Sequence, residues 1–498
     1  MLRILNFKIH KHPLLEGQSF DLTNPKEDDV KNYYSLIIGP NGTGKSYLLN
    51  YLIEAFNEMV LIQNESSYKA KKRFSLTYTL LGKEYHISTE SRNYVFKCDS
   101  RTVSVEEIKL PEKWLASSVT INDKFPILNY KRKLQIQHYK YLGIRSASNN
   151  AFISRITINT VLYFIEALKK GKGDILLSVY KSLGLNPELQ IVFTGGPMLK
   201  LEKKEGRYVM YKSEGKLLEP HISFIKKNKS KTNYRVDNYK KYLEAPQRVK
   251  AVFDFLRQEK ETFEKPAKAS MQLKYKVNIS TKEGVNKLIQ DWDLLSAMLD
   301  LEIIKISKFL ITKDTAFKYE EASSGESHLL TSLHGIVANI ENNSLLIIDE
   351  PEVSLHPNWQ VDYIDILKSL LDSYTGVNAV ISSHSHLLVS SLKNEESRIT
   401  SIKRNSEKSE IEIDELDFET YGWDPESILY NVFEVATMRN KYFELDLRKL
   451  ISMVSIKDDN VVEIKRLKEK IEKYIMPNQD DPLRLVIIQA ENYINSKN

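Results

Sequence analysis

The stretch GPNGTGKS, Gly39 to Ser46, sets glycines, a cation and a hydroxyl at the spacing GxxxxGK[ST]. That spacing suits one chemistry. The glycines let backbone N–H groups curl around a β-phosphate, Lys45 reaches the β- and γ-phosphates, and the Ser46 hydroxyl ligates Mg²⁺. Gly39, Pro40, Asn41, Gly42, Thr43, Gly44, Lys45 and Ser46, with the adjoining Tyr47, are therefore the candidate nucleotide-binding residues. ATP and Mg²⁺ are the cofactors that they imply.

Two further stretches carry the complementary groups. In SLLIIDEPEVSLHPNWQ, Leu345 to Ile348 is a continuous apolar run, as expected of a parallel strand covered on both faces. Asp349 emerges at its end as a metal ligand, and Glu350 follows, expected to point the other way by strand alternation and to polarise an attacking water. In NAVISSHSHLLVSSL, the run Ala379 to Ile381 leads to His384, a strand-end histidine able to hydrogen-bond a γ-phosphate. Glu350, Lys45 and His384 are the candidate catalytic residues; Ser46 and Asp349 are the candidate metal ligands.

A fourth stretch, EASSGESHLL, places Ser323, Ser324, Gly325 and Glu326 before Leu329, Leu330, Leu333, Ile336, Val337 and Ile340, which recur at helical spacing. Either serine can be an ordinary N-cap. A helix N-terminus is also an anion site, because its free amides and its dipole favour negative charge.

The elements that must position these groups read as alternating strands and helices. Ser35 to Ile38 is a buried strand that runs through the glycine loop into a helix marked by Tyr47, Leu48, Leu49, Leu52, Ile53 and Phe56. Helices are expected near 157–183, 236–264 and 285–299, a strand-like patch near 189–211, and two strands over 303–319. Beyond His384 come strands near 398–414 and helices near 445–452, 461–475 and 483–494. Sustained heptads are missing, which argues against long coiled coils.

The chain has 498 residues, 42% hydrophobic and 28% charged, as in globular proteins. No run approaches the roughly 20 apolar residues of a membrane span. One cysteine, Cys98, excludes an intrachain disulfide and a cysteine-rich metal site, and a cytoplasmic setting is expected. The net charge of +6 is mild, but two segments are locally basic: Tyr130 to Arg145 and Lys226 to Lys241. Each suits a nucleic-acid backbone, although a charge run of this kind is usually a solvated face.

The order of these motifs, a P-loop, a distant SSGE, an apolar strand ending in Asp349 and Glu350, and a strand-end His384, resembles the ABC-type ATPase heads of the RecF, SMC and OLD group. Within that group, DEPEVSLHPNWQ, ASSVTINDKFP, YKYLGIR and ETYGWDPESILYNVF resemble the PtuA ATPases of Septu antiphage systems. The resemblance implies an α/β P-loop head with a mixed sheet, a mainly helical inserted arm and an α-rich C-terminal region. It also implies a homodimer or higher oligomer through the heads, in which Ser323, Ser324, Gly325 and Glu326 of one copy close over ATP held by the other. A separate nuclease subunit, HNH-type by preference, is the implied partner, with no membrane. A RecF-like DNA-binding ATPase, or another OLD-like defence ATPase of PARIS or retron type, is the alternative.

Two departures from the pattern stand out. The glutamine that senses metal in such heads is missing after Trp114 to Ile121, where Asn122 and Asp123 stand instead, and His356 replaces the usual aspartate. The expected organisation is an N-terminal head lobe over 1–150, an arm over 151–300, a second lobe over 301–420 and a partner-binding region over 421–498. Asp458, Asp459, Asp480 and Asp481 fall in polar loops, and no nuclease constellation is evident, so cleavage by this chain is not expected.

Overall fold

The apolar run Tyr33–Ile38 is buried at all six positions and forms β3, the third strand of a seven-stranded sheet in the computed structural model of the chain. The structure describes the chain except residues 25–29, 66–67, 69–70, 90–93, 121, 146–152, 200–201, 205–206, 210–212, 229–233, 259–271, 314–323, 354, 405–410, 417–419, 421, 424–426, 430–432, 434–440, 474–482 and 498. It divides into two units, Met1–Gly422 and Trp423–Asn498.

Numbering strands along the chain, the seven-stranded sheet runs β18 (Ile411–Leu416), β17 (Ser397–Arg404), β3, β16 (Asn378–Ser383), β15 (Leu345–Asp349), β8 (Trp114–Ser118) and β9 (Tyr139–Tyr141). All its pairings are parallel except β17 with β18, so it is a mixed sheet. β15 and β16 are buried at every position, as strands covered on both faces must be. A six-stranded antiparallel sheet has the order β2 (Ser19–Asp21), β1 (Arg3–Ile9), β4 (Phe74–Leu80), β5 (Lys83–Ser88), β6 (Val95–Cys98) and β7 (Arg101–Thr102).

One apolar cluster joins the two sheets through the helix Lys45–Asn64. Leu48, Leu52, Phe56 and Met59 from that helix meet Phe7, Phe74 and Tyr78 from the antiparallel sheet and Ile37, Trp114 and Ile347 from the parallel one. Trp114 Nε1 donates to Asn57 Oδ1 at 2.9 Å, which satisfies two buried polar groups at that junction. The glycine loop is thus held rigidly between β3 and a fully packed helix.

The segment expected to be mainly helical carries more strand than its pattern suggested. Its helices are Ile153–Lys169, Gly173–Ser182, Glu214–Lys227, Tyr234–Leu243, Pro246–Gln258 and Lys282–Asp300. With them comes a three-stranded antiparallel sheet in the order β13 (Gln272–Asn278), β10 (Leu185–Gly195) and β14 (Ile304–Lys313). A short hairpin, β11 (Glu202–Lys204) with β12 (Arg207–Val209), lies between. Helices were expected near 157–183, and Gly171 in a left-handed conformation (φ 71°) marks the break between the two that form there. Pro246 opens a new helix in the 236–264 stretch for the same reason that proline is favoured in a first turn. Of the two strands expected over 303–319, β14 is one continuous strand; the rest lies outside the described residues.

The helix Ile153–Lys169 packs against Ser324–Asn339 and β14. His334 sits in that seam, fully buried, with Nδ1 3.2 Å from the Thr160 carbonyl and its ring stacked 5.7 Å from Tyr180. The second unit holds the helices Lys441–Ser455, Val461–Glu472 and Leu483–Lys497 around Leu450, Ile464, Leu467 and Ala490.

Burial pushes the His334 imidazole down to about 4. Its folded pKa lies below the unfolded value, so it contributes stability above pH 6.5 that is lost as pH falls toward 4. His334→Gln is expected to shrink the difference in unfolding free energy between pH 7 and pH 4.5 by about 2 kcal/mol, read from denaturant titrations at both values. An unchanged difference would show that His334 is not held neutral.

Candidate functional site

The sharp turn after β3 needs glycine at two points. Gly39 has φ 151°, and a Cβ there would lie 2.1 Å from the Ile402 carbonyl oxygen of the neighbouring β17. Gly44 has φ 100° and immediately precedes the helix Lys45–Asn64, where a Cβ would press into Leu15. The loop therefore delivers the first turn of a helix, with its free amides, to the C-terminal edge of the parallel sheet.

At that edge the expected residues converge. Ser46 Oγ donates to Asp349 Oδ1 at 3.1 Å, and Ser382 Oγ donates to the same oxygen. Lys45 Nζ donates to the carbonyls of Gly39 (2.7 Å) and Pro40 (3.0 Å) and lies 3.3 Å from His384 Nδ1. His384 Nε2 lies 2.9 Å from Glu350 Oε1. The neutral tautomer that serves both contacts carries its proton on Nε2, so Lys45 donates to the imidazole and the imidazole donates to Glu350.

Glu350 takes its place for a different reason than strand alternation. It lies just past β15 in a left-handed conformation, φ 50°, while its N–H donates to the Ser382 carbonyl at 3.0 Å. A non-glycine residue there carries backbone strain, held by the surrounding bonds.

Glu352, two residues on, had no role in the sequence reading. It is buried, and Oε1 accepts from Ser383 Oγ at 2.8 Å and from the His384 backbone N–H. It ties the turn after β15 to the turn after β16 and so sets where His384 stands. Its only sequence signal is a second glutamate near a buried strand end.

The electrostatics follow from crowding charge into a dry edge. Burial lowers the Lys45 ammonium to about 8 against the opposing pull of Glu350, Asp349 and Glu352. Burial raises Asp349 to about 6, countered by the Ser382 and Ser46 hydroxyls. The hydrogen bond from His384 holds Glu350 below the usual carboxylate range in spite of its partial burial.

Ser46 and Asp349 offer a hydroxyl and a carboxylate already in contact, a hard-oxygen pair that fits Mg²⁺, which takes few protein ligands and fills its octahedron with phosphate and water. Among the described residues no group of three or more histidine, cysteine, aspartate or glutamate side chains forms another metal cluster.

The remaining expectations divide. Ser323 lies outside the described residues. Ser324 opens the helix Ser324–Asn339, Gly325 is buried and Glu326 is partly exposed. That helix is fixed to β8 by Ser332 Oγ, 2.7 Å from Ser117 Oγ. Asp123 is buried and engaged by Tyr141 Oη (2.6 Å), the Phe125 N–H (3.0 Å) and the Arg145 guanidinium (3.1 Å). His356 caps the helix Pro357–Leu371 by accepting from the Asn358 N–H. Within the basic run 130–145, Arg145 pairs with Asp123 and Lys140 is half-buried with its ammonium 5.9 Å from the Tyr163 ring centre, while Lys133 is exposed. The run 226–241 is interrupted by 229–233, outside the described residues, and Asp480 and Asp481 also lie outside them. Asp458 and Asp459 are polar loop residues, Asp459 paired with Lys497. No helix among the described residues is long and apolar enough to cross a membrane.

Comparison with known proteins gives a partial match. Residues 201–390 match the family described as "AAA domain, putative AbiEii toxin, Type IV TA system", a stretch that includes Gly325, Asp349, Glu350 and His384 but not the glycine loop. The protein ea59 of Escherichia phage lambda is 31% identical over 123 residues, which are 25% of this chain and 22% of that protein. The chain thus matches less than a quarter of that relative's length. Among solved structures, the SMC head domain from Thermotoga maritima is 9% identical with a TM-score of 0.33, covering 84% of this chain and 100% of that one. The Smc head with an extended coiled coil bound to the C-terminal domain of ScpA, from Pyrococcus furiosus, is 12% identical with a TM-score of 0.33, covering 84% and 96%. The recombination mediator RecF with ATPrS is 15% identical with a TM-score of 0.27, covering 83% and 98%. These scores fall short of a shared overall superposition, and the P-loop ATPase fold stands on the strand order and loop geometry described above.

Glu352→Ala is expected to lower the unfolding free energy by about 2 kcal/mol, because the Ser383 hydroxyl and the His384 N–H lose their buried acceptor. Glu352→Gln keeps one oxygen and is expected to cost less than about 1 kcal/mol. Denaturant unfolding of both variants measures this; equal losses would show that the bonds from Ser383 and His384 do not set the position of this turn.

Proposed function

We propose that the protein is an ATP-binding and ATP-hydrolysing head that pairs with a second copy around the nucleotide and controls a separate nuclease in antiphage defence, in the manner of Septu PtuA ATPases. The observation that carries the nucleotide part is the meeting of Lys45, Ser46, Asp349, Glu350 and His384 at one sheet edge. The toxin and Type IV TA wording of the matched family supports a role in conflict between bacteria and their genetic parasites. The PtuA assignment and the nuclease partner rest on the sequence resemblance.

In this reading the loop amides and Lys45 hold the triphosphate, and Lys45 leaves the Gly39 and Pro40 carbonyls to do so. Ser46 and Asp349 hold Mg²⁺, which supplies charge neutralisation on the phosphate oxygens. Glu350 stays ionised through its bond from His384 and can orient the attacking water. His384, whose turn is tied down by Glu352, donates toward the terminal phosphate once nucleotide binding draws its Nε2–H away from Glu350. Ser323, Ser324, Gly325 and Glu326 of a second copy close over that phosphate, the 1–150 and 301–420 segments acting as two lobes of one head. Hydrolysis then removes the group that joins the copies, and the partner nuclease responds to that change. The setting is the cytoplasm.

Lys45→Ala is expected to raise the ATP dissociation constant by at least about a hundredfold, because the phosphates lose their buried cation; isothermal titration measures it, and an unchanged constant would remove the P-loop from the account. Glu350→Gln is expected to bind ATP normally yet turn it over at least about a hundredfold more slowly. Steady-state phosphate release provides the measurement, and wild-type turnover would assign the water to another residue.

A further inference from the structure

The sheet β13–β10–β14 has two unlike faces. Leu273, Tyr275 and Val277 of β13, Leu189, Ile191 and Phe193 of β10, and Ile306, Phe309 and Ile311 of β14 are buried. The helices Lys282–Asp300, Ile153–Lys169 and Gly173–Ser182 pack on these strands. The opposite face is set by register. Lys274 stands opposite Val192, which stands opposite Lys308; Lys276 stands opposite Gln190; Lys305 stands opposite Thr194, itself opposite Gln272. A bulge at Ser307 keeps Lys305 and Lys308 on the same face, since the pairing shifts between Val192 and Phe193.

Four lysines from two strands, some 30 residues apart in sequence, are thereby gathered on one surface. Lys274, Lys276 and Lys305 are exposed, and none of the three has an acidic partner among the described residues. Val192, which pairs with both Lys274 and Lys308, is only 2% exposed, so the charge on this face lies over an apolar floor. Within the three strands the acid is Glu188, which accepts from Asn278 Nδ2.

We propose that this face binds the phosphate backbone of a nucleic-acid duplex. Neighbouring strands are about 4.8 Å apart, so lysines facing each other across β10 are separated by about 10 Å, close to the axial span of four successive phosphates on one strand. Lysine is a point charge without the planar fork that reads bases, so the contact is indifferent to sequence. The exposed side chains among these paired residues include no aromatic ring on which an unpaired base could stack, which favours a duplex over a single strand. The inference does not rest on the nucleotide reading: none of these residues belongs to the glycine loop or to the Asp349 edge.

The test is fluorescence anisotropy of the full chain with a labelled DNA duplex of about 20 base pairs across a salt series. The triple variant Lys274→Gln/Lys276→Gln/Lys305→Gln is expected to bind at least about tenfold more weakly and to reduce the slope of log K against log salt by about 3. Its unfolding midpoint and ATP affinity should stay at wild-type values. A wild-type chain that ignores the duplex, a variant with unchanged affinity and slope, or tighter binding of a single strand of the same length would each overturn the proposal. So would equal competition by an acidic polypeptide such as polyglutamate, which would assign the face to a protein partner.

Discussion

Four charged side chains, Lys45, Asp349, Glu350 and Glu352, meet where β3, β15 and β16 end, and the rest of the head serves to keep them there. A lysine ammonium and three carboxylates in so dry a place are costly unless every group is bonded. Ser46 and Ser382 bond Asp349, Ser383 and the His384 N–H bond Glu352, and His384 bridges Lys45 to Glu350. Glu352 Oε2 has no hydrogen-bond partner among the described residues, and the Glu350 backbone is in the left-handed region. Strain and one unpaired oxygen at the same edge mark a place built for something other than stability.

The parallel sheet explains why these groups can meet at all. Side chains at the C-terminal ends of adjacent parallel strands share one edge, and the P-loop enters it between β3 and its helix. The opposite requirement, rigidity, comes from the apolar cluster that locks the helix Lys45–Asn64 between two sheets. A site that places a hydroxyl, a cation and three carboxylates within hydrogen-bond reach needs such a frame, since small shifts in geometry cost rate.

Much of this edge was legible in the sequence because its signals are local. The glycine spacing, the apolar run before Asp349 and the strand before His384 each lie within about a dozen residues, the range over which spacing and periodicity carry information. What was hidden depends on contacts between distant segments. Glu352 acquires its role from Ser383, 31 residues away. Glu350 is placed by a left-handed turn rather than by alternation. In the basic run 130–145, folding draws Arg145 to Asp123 and half-buries Lys140 while Lys133 stays exposed, a division that spacing alone does not show. Conversely, Lys274, Lys276, Lys305 and Lys308 look scattered in sequence and become a surface only through the register of β10 with β13 and β14. The inserted segment read as mainly helical because its strands alternate with helices of strong period, and pairing partners are not written in any one of them.

The central claim is that the Lys45, Ser46 and Asp349 edge is where a magnesium nucleotide binds. A structure of the Glu350→Gln protein determined in excess Mg²⁺ and ATP tests it most directly. The account predicts the triphosphate wrapped by residues 39–46, the metal on Ser46 Oγ with Asp349 beside it, and Lys45 Nζ withdrawn from the Gly39 and Pro40 carbonyls. Nucleotide bound elsewhere, with Lys45 still seated on those carbonyls, would contradict it.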